Sequence, residues 1–160
     1  MISQTSPRGL LRWFLRSPIL AYRLGLGGLF GKRFLMMTHM GRISGRPRRV
    51  ILEVVAHDTQ TGAYVVASGW GEAANWKRNI ERNPQVRVQV GWRKWPALAR
   101  RLSQKEAEVA LADYARRNPV ALRLLAKRFH LEPGASEELP QTWLKLAALI
   151  PLFVLEPHAR

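Results

Sequence analysis

Four arginines lie within nine residues, 41–49, which read Gly-Arg-Ile-Ser-Gly-Arg-Pro-Arg-Arg and are called the basic turn below. Guanidinium groups bind phosphates and carboxylates through paired hydrogen bonds. Two glycines permit a tight turn, in which free backbone N–H groups form a concavity that binds anions. The basic turn therefore predicts a phosphate site, with a solvated basic hairpin as the alternative. It is not a Walker A loop, because no Gly-Lys-Ser/Thr opens a helix here.

A second group of candidate site residues follows an apolar run. The loop 68–71 reads Ser-Gly-Trp-Gly, and a helix is predicted over 72–83, where a proline ends it. On that helix Trp76, Asn79 and Ile80 share one face. A half-buried amide must find hydrogen-bond partners, so Asn79 is a candidate site residue. For Trp76 the alternative is a plain core position.

Apolar runs on both sides of these residues predict the strands that position them. The expected strands span residues 34–40, 48–57, 63–68, 85–90, 94–102 and 150–156. Strict alternation in residues 85–90 is typical of a half-exposed antiparallel strand. Because helices interrupt the strands rather than alternate with them, the pattern favours a mainly β fold with peripheral helices. A small closed or split barrel of antiparallel strands fits best.

Local signals predict the remaining helices and one hairpin loop. A Ser103–Glu106 capping box begins a helix that runs to about residue 117, and Asn118-Pro119 begins another that runs to about 130. Residues 141–149 form a short helix before the last strand. The loop 58–62 has Asp early and Gly late, as hairpin loops prefer. The sequence predicts a single domain of residues 1–160, in which helices within 103–149 are inserted into a barrel over 32–160.

Residues 1–31 are predicted to form a basic amphipathic helix and a Gly-rich connector. Over 7–24, an apolar stripe is accompanied by arginines four residues apart, at 8, 12 and 16. Such a helix, with aromatic residues at its edges, can lie on an anionic membrane surface. The alternative is a helix packed on its own barrel. The glycines of the connector lack the spacing of a dinucleotide-binding fingerprint.

Charge and cysteine content restrict the class of protein. The net charge is +15, and residues 1–50 hold ten Lys and Arg residues and no acidic residue. Such a field attracts nucleic acid, anionic lipid or a phosphorylated cofactor, but no nucleic-acid-binding module is recognisable. The absence of cysteine excludes disulfides and thiolate metal sites and suits a cytoplasmic protein. The four histidines, His39, His57, His130 and His158, lack metal-ligand spacing, so no metal is expected.

Three blocks in order resemble the deazaflavin (F420)-dependent nitroreductase and oxidoreductase family. They are residues 41–48, 65–69 and 76–88, and the last strand, 150–157, is similar too. The resemblance implies a split β-barrel of the flavin-mononucleotide-binding type, with about six antiparallel strands. It also implies an enzyme that passes hydride from coenzyme F420 (8-hydroxy-5-deazaflavin) to a quinone, an enone or a nitro compound. The alternatives are a reductase that binds flavin mononucleotide (FMN) and a non-catalytic barrel that binds an apolar ligand.

The resemblance also assigns a cofactor site. The basic turn would hold the phosphate and acidic tail, and the loop and helix that follow would line the deazaflavin ring. The residues so assigned are Arg42, Ser44, Gly45, Arg48, Arg49, Ser68, Gly69, Trp76 and Asn79. Because the cofactor carries the redox chemistry, no catalytic side chain is assigned.

Two departures from the family pattern bear on function. Many relatives have Lys where this chain has Ile43 and Gly69, a loss of charge for which Arg46 and Arg49 compensate. The tyrosine-bearing segment that shapes the nitroimidazole pocket has no clear match, which argues against nitro-drug activation. The expected partners are a small-molecule electron acceptor, a second copy in a homodimer and an anionic membrane surface, but not nucleic acid.

Overall fold

The structure is a computed structural model that describes residues 33–68, 71–128, 130–131 and 139–158. The strands within these ranges are β1 Phe34–Met40, β2 Pro47–His57, β3 Tyr64–Ala67, β4 Gln85–Val90, β5 Arg93–Arg101 and β6 Leu152–Pro157. The helices are a 3-10 turn Gly71–Ala73, then α1 Asn75–Arg82, α2 Gln104–Arg117, α3 Pro119–Arg128 and α4 Leu139–Leu149. The predicted N-terminal helix and connector, and the pair Gly69-Trp70, lie outside the described residues.

The six strands form a closed antiparallel barrel in the order β1-β2-β3-β6-β5-β4. This architecture, with helices outside the barrel, confirms the predicted fold class. Alternate residues of each strand point inward, which explains why the regular apolar spacing predicted the strands well. The core side chains they contribute include Leu35, Met37, Leu52, Val66, Val86, Val88, Phe153 and Leu155.

A second apolar cluster lies between the barrel and the helices. Leu111 and Tyr114 of α2 pack there with Leu146 of α4 and Leu152 of β6. The Tyr114 hydroxyl also donates a hydrogen bond of 2.8 Å to Glu53 on β2. Burial raises the pKa of Tyr114, and the Glu53 carboxylate raises it further, so the phenol stays protonated. The long helical insertion is therefore attached to one side of the barrel, away from the basic turn.

Local sequence signals predicted most helix and strand boundaries to within two residues of those in the structure. The Ser103–Glu106 capping box is present, and α2 begins directly after Ser103. The helix predicted over 72–83 is divided into the 3-10 turn and α1, because Ala74 between them has extended backbone angles. The helix predicted to reach about 130 ends at Arg128, and His130 adopts a positive φ of 55°. Among the described residues, no helix is long and apolar enough to cross a bilayer.

Candidate functional site

The basic turn connects β1 to β2 at one end of the barrel. The strand residues that flank residues 41–46 of this turn, Met40 on β1 and Pro47 on β2, are cross-strand partners. The Gly41 N–H donates to the carbonyl of Arg46 at 2.9 Å, and the Gly45 N–H donates to the carbonyl of Gly41 at 2.8 Å. Gly45 has a φ of +61°, which strongly favours glycine. The predicted turn between two strands is thus confirmed, and hydrogen bonds of its own backbone set its conformation.

Glycine at position 41 is favoured for a different reason, because a side chain there would have no room. A Cβ atom at this position would lie 2.5 Å from the Ser44 hydroxyl oxygen and 3.1 Å from the Arg48 Nε. Either contact would displace a side chain of the turn. The absence of a side chain at Gly41 therefore lets the serine and the arginine lie close together above the end of the barrel.

Asn79 on α1 fixes the other half of the turn. Its Oδ1 accepts one hydrogen bond from the Arg42 backbone N–H at 3.1 Å and another from the Arg42 guanidinium at 3.0 Å. The guanidinium also reaches Asn75 Oδ1 at 3.4 Å, one helical turn earlier. Two amides on one face of α1 therefore determine where the Arg42 side chain points.

His39 lies beneath this contact, on the inward-facing side of β1. Its Nδ1 is 3.2 Å from Asn79 Nδ2, and only 4% of the residue is exposed. Burial lowers the pKa of His39 below its ordinary value of 6.5, a backbone hydrogen bond at Met40 opposes the shift, and the nearby Arg48 charge lowers it further. His39 is therefore neutral at neutral pH.

The basic turn and α1 enclose a cavity of about 330 Å³. Its lining consists of Gly41, Arg42, Ile43, Ser44, Arg48, Asn75 and Asn79. Four predicted cofactor-binding residues, namely Arg42, Ser44, Arg48 and Asn79, are therefore brought together in one concavity. Gly45 and Arg49 belong to the turn but do not line the cavity. Because side chains alternate along β2, Arg49 projects to the opposite face from Arg48.

The site is strongly positive. Among the described residues, no carboxylate lies within ion-pair distance of Arg42, Arg46, Arg48 or Arg49. In contrast, Arg100 and Arg101 on β5 both pair with glutamates. Uncompensated guanidinium groups around a concavity attract an anion. The geometry thus favours the phosphate site over a merely solvated hairpin.

An ion-pair network holds α1 in place beside the cavity. Lys77 is only 5% exposed and pairs with Glu72 and with Glu81. Glu72 also accepts a hydrogen bond of 2.6 Å from Arg101 on β5. The hydrogen bond from Lys77 lowers the pKa of Glu72, so the carboxylate is charged at neutral pH. Through this network α1 is anchored to the barrel wall, which keeps Asn79 over the basic turn.

The residues expected around the deazaflavin ring either do not line this cavity or lie outside the described residues. Trp76 is 7% exposed and packs edge-on against Phe153, with ring centroids 5.7 Å apart. Ser68 is fully buried, and its N–H donates to the Pro151 carbonyl at 2.9 Å. Neither residue lines the cavity described above. Gly69 lies outside the described residues, so the ring-side assignment stays a prediction.

Sequence reasoning missed two residues of this site. Asn75 lies four residues before Asn79, and this spacing alone places both amides on one helical face. The sequence around His39 predicts no partner for it. Its inward direction follows from the alternation of β1, but its contact with Asn79 spans 40 residues and has no local signal. Among the described residues, no group of His, Asp or Glu side chains forms a metal site.

Comparison with known proteins identifies the class to which this barrel and this basic site belong. Residues 21–124 match the F420H(2)-dependent quinone reductase family. The chain therefore belongs to that family and is an F420-dependent oxidoreductase. The resemblance to F420-dependent oxidoreductases is confirmed at this level, and the family lends no support to FMN. A comparison with curated proteins finds no match.

Solved structures agree on the fold. The structure of an F420-H2 dependent reductase, FDR-A, is 24% identical, with a TM-score of 0.55 over 79% of this chain and 96% of that chain. A structure described as a domain-swapped dimer is 22% identical, with a TM-score of 0.57 over 92% and 100%. The protein Atu2129 of Agrobacterium tumefaciens str. C58, of unknown function, is 17% identical, with a TM-score of 0.55 over 99% and 60%.

Proposed function

We propose that this protein binds reduced coenzyme F420 with the acidic part of the cofactor at the basic turn, and that its acceptor is a quinone. The observation that carries the proposal is the cavity lined by Arg42 and Arg48, with no carboxylate of the described residues paired to either. A phosphate with a polyanionic tail needs such a site. When bound, F420 supplies the hydride, and the chain supplies binding and orientation.

The residues of the cavity suit an anion of this kind. The Arg42 guanidinium makes three hydrogen bonds to Asn75 and Asn79, which leaves N–H groups free to bind a ligand. Arg48 is exposed and rigidly based, since it stands at the beginning of β2. Ser44 adds a hydroxyl to the lining of the same cavity. The ordered guanidinium of Arg42 and the nearby positive charge of Arg48 favour phosphate or carboxylate binding.

Ile43 supports an apolar acceptor. It lines the cavity at the tip of the basic turn, yet 89% of it is exposed. A large apolar side chain in this position weakens the turn as a purely ionic site and offers a contact for a hydrocarbon ring or tail. The family match favours a quinone over a nitro compound as the acceptor class.

Spectroscopic titration of the purified protein tests the cofactor. We expect absorbance and fluorescence changes to show tighter binding of F420 than of FMN, because FMN lacks the polyanionic tail. The F420 affinity should fall as salt rises, since exposed charges are screened. Equal or tighter binding of FMN without salt dependence would overturn the proposal. Oxidation of reduced F420 by a short-chain quinone, compared with a nitroaromatic compound, then tests the acceptor.

We further propose that the protein acts as a homodimer with a peripheral membrane contact. A structural relative described as a domain-swapped dimer supports the first part. The ten positive charges and no negative charge in residues 1–50 support the second, since quinones with long tails reside in membranes. Light scattering coupled to size-exclusion chromatography tests the dimer. A monomeric mass across the working concentration range would exclude it.

A further inference from the structure

We infer that His39 is a positioning residue for the anion site: its unprotonated Nδ1 holds the Asn79 amide in the orientation that fixes Arg42. Protonation of His39 would then release Arg42 and weaken anion binding. This inference rests on the proposed function, because the anion considered is the acidic part of F420. It concerns a group that does not line the cavity and acts only through Asn79.

The orientation of the Asn79 amide follows from the atoms around it. The backbone N–H and the guanidinium of Arg42 are donors only, and both approach the same side-chain atom, at 3.1 and 3.0 Å. That atom must be the carbonyl oxygen. The amide nitrogen, a donor only, then faces His39 Nδ1 at 3.2 Å. His39 must accept this bond, so its proton is on Nε2 and the ring is neutral.

Both residues of the Asn79–His39 hydrogen bond are buried. Asn79 is 3% exposed and His39 is 4% exposed, so little of either residue meets bulk water. A buried polar atom without a partner costs about 1–3 kcal/mol. Among the described residues, the Asn79 amide nitrogen has no hydrogen-bond acceptor other than His39. The position of Arg42 and the protonation state of His39 are therefore coupled through one amide.

Protonation of His39 Nδ1 would place two hydrogen-bond donors, the imidazolium N–H and the Asn79 amide N–H, opposite each other. If the Asn79 amide stayed in place, its N–H would face the new N–H of the imidazolium. If the amide rotated, its nitrogen would face the two donors of Arg42. The first arrangement loses the bond that holds the Asn79 amide in place, and the second loses the two bonds that Arg42 donates to Asn79. An imidazolium at His39 therefore disfavours the ordered guanidinium.

The charged groups that face His39 also disfavour its protonation. Arg48 is its cross-strand partner on β2, and its positive charge disfavours an imidazolium. On α1, the residues directed to this end of the barrel are Asn75 and Asn79, which carry no charge. Lys77 is engaged with its glutamates. Burial is the first cause of the lowered pKa of His39; the backbone hydrogen bond at Met40 opposes it, and no carboxylate among the described residues does.

Two roles for His39 predict opposite effects of pH. A histidine that acted only through its charge would strengthen anion binding when it became protonated. The positioning role predicts weaker binding, because the ordered Arg42 fork is lost. The sign of the pH dependence therefore distinguishes the two roles, and a purely structural histidine would show neither effect.

Nitrogen NMR of the protein labelled with ¹⁵N-histidine tests the first step without any cofactor. The His39 signals are assigned by their loss in His39→Gln. We expect an unprotonated Nδ1, a proton on Nε2 and a pKa below 6.5. In Asn79→Ala the Nδ1 signal should shift. A proton on Nδ1, or titration at or above 6.5, would overturn the inference.

Affinity measurements test the coupling. The dissociation constants of F420 and of inorganic pyrophosphate are measured between pH 5 and 8. For the original protein we expect affinity to fall on acidification below pH 6.5. His39→Leu, which removes the acceptor, should weaken binding about tenfold at neutral pH. His39→Gln keeps a side-chain acceptor that does not titrate, so it should recover part of the affinity and lose the pH dependence.

His57→Gln is the matched control, since His57 stacks on Tyr64 at the other end of β2. It should behave as the original protein does. Circular dichroism confirms that each variant is folded. If the folded His39→Leu protein keeps the original affinity and pH profile, the inference fails while the proposed function stands. If the original protein binds no F420 at any pH, the proposed function fails, and the histidine NMR still decides the tautomer.

Discussion

Asn79 Oδ1 accepts hydrogen bonds from both the backbone N–H and the guanidinium of Arg42, which lies 37 residues earlier in the chain. This pair of contacts joins α1 to the basic turn. Neither element would hold its position as well alone, because the turn is an exposed hairpin and α1 has only eight residues. The relationship makes the cofactor site sensitive to changes on α1.

Substitution of Asn79 should therefore affect binding and stability together. In Asn79→Ala, Arg42 and His39 lose a shared partner, and we expect the free energy of unfolding to fall by about 1–3 kcal/mol. F420 affinity should fall by about tenfold or more at neutral pH. Asn75→Ala should lose less of both, because its bonds to Arg42 are longer and exposed. If Asn79→Ala bound F420 with unchanged affinity, the amide would have no part in the site.

Arg48→Ala should weaken F420 binding by about 1–3 kcal/mol, the range for a charge-assisted contact. Its fold stability should change little, since Arg48 is exposed and has no ion pair among the described residues. Arg49→Ala is a matched control, because the adjacent side chain projects to the other face of β2. Titrations of F420 at low and high salt give the comparison. Equal losses in the two variants would indicate a diffuse field rather than a defined contact.

Trp76 distinguishes a core position from a ring contact. Its burial against Phe153 leads us to expect that Trp76→Ala lowers the free energy of unfolding by about 3–5 kcal/mol. Trp76→Phe should lose less and turn over normally per folded molecule. Thermal melts and initial rates, normalised to the folded fraction, provide the test. A Trp76→Phe variant with an unchanged melting temperature and much weaker F420 binding would restore Trp76 to the cofactor site.

The Lys77 network should make stability depend on pH. Lys77→Met removes the cation that lowers the pKa of Glu72, and we expect a loss of about 1 kcal/mol at neutral pH. A carboxylate with a lowered pKa stabilises the fold above its ordinary pKa of 4.5. The stabilisation is lost as pH falls through the lowered value. The difference between the two proteins in urea unfolding should thus shrink below pH 4.5.

Lys105→Met is the control for that measurement, since Lys105 is exposed and has no ion pair among the described residues. Its unfolding curve should coincide with that of the original protein at each pH. A difference between Lys77→Met and the original protein that stayed constant from pH 7 to pH 3 would show that Lys77 stabilises α1 by packing of its aliphatic stem rather than by charge.

Residues 1–24 are predicted to attach the protein to anionic membranes. Each basic residue close to such a surface contributes about 1 kcal/mol, so attachment should be weak and should disappear at high salt. Co-sedimentation with anionic and with neutral liposomes measures it, for the full chain and for a truncation that lacks 1–24. If the truncated protein sediments with anionic liposomes equally well, the segment is a cover for the barrel and not an anchor.

The sequence determined the strands and the basic turn because their signals are local. Residues 34–40 and 85–90 were predicted with the bounds that β1 and β4 have, since inward and outward side chains alternate along each strand. The turn between β1 and β2 depends on glycines at 41 and 45, which have steric reasons to be there. A capping box likewise fixed the beginning of α2. Each of these features involves residues close together in the chain.

Only the tertiary structure decided which residues the faces of α1 and β1 contact. Helical spacing put Trp76 and Asn79 on one side of α1, but the tryptophan reaches Phe153 in the core and the asparagine reaches Arg42. His39 looked isolated, yet it pairs with Asn79 because α1 packs on β1 at the end of a closed barrel. Such contacts join residues that lie 37 to 77 positions apart, and they depend on how the barrel closes. Periodicity along the chain gives the direction of a side chain but not the partner that it meets.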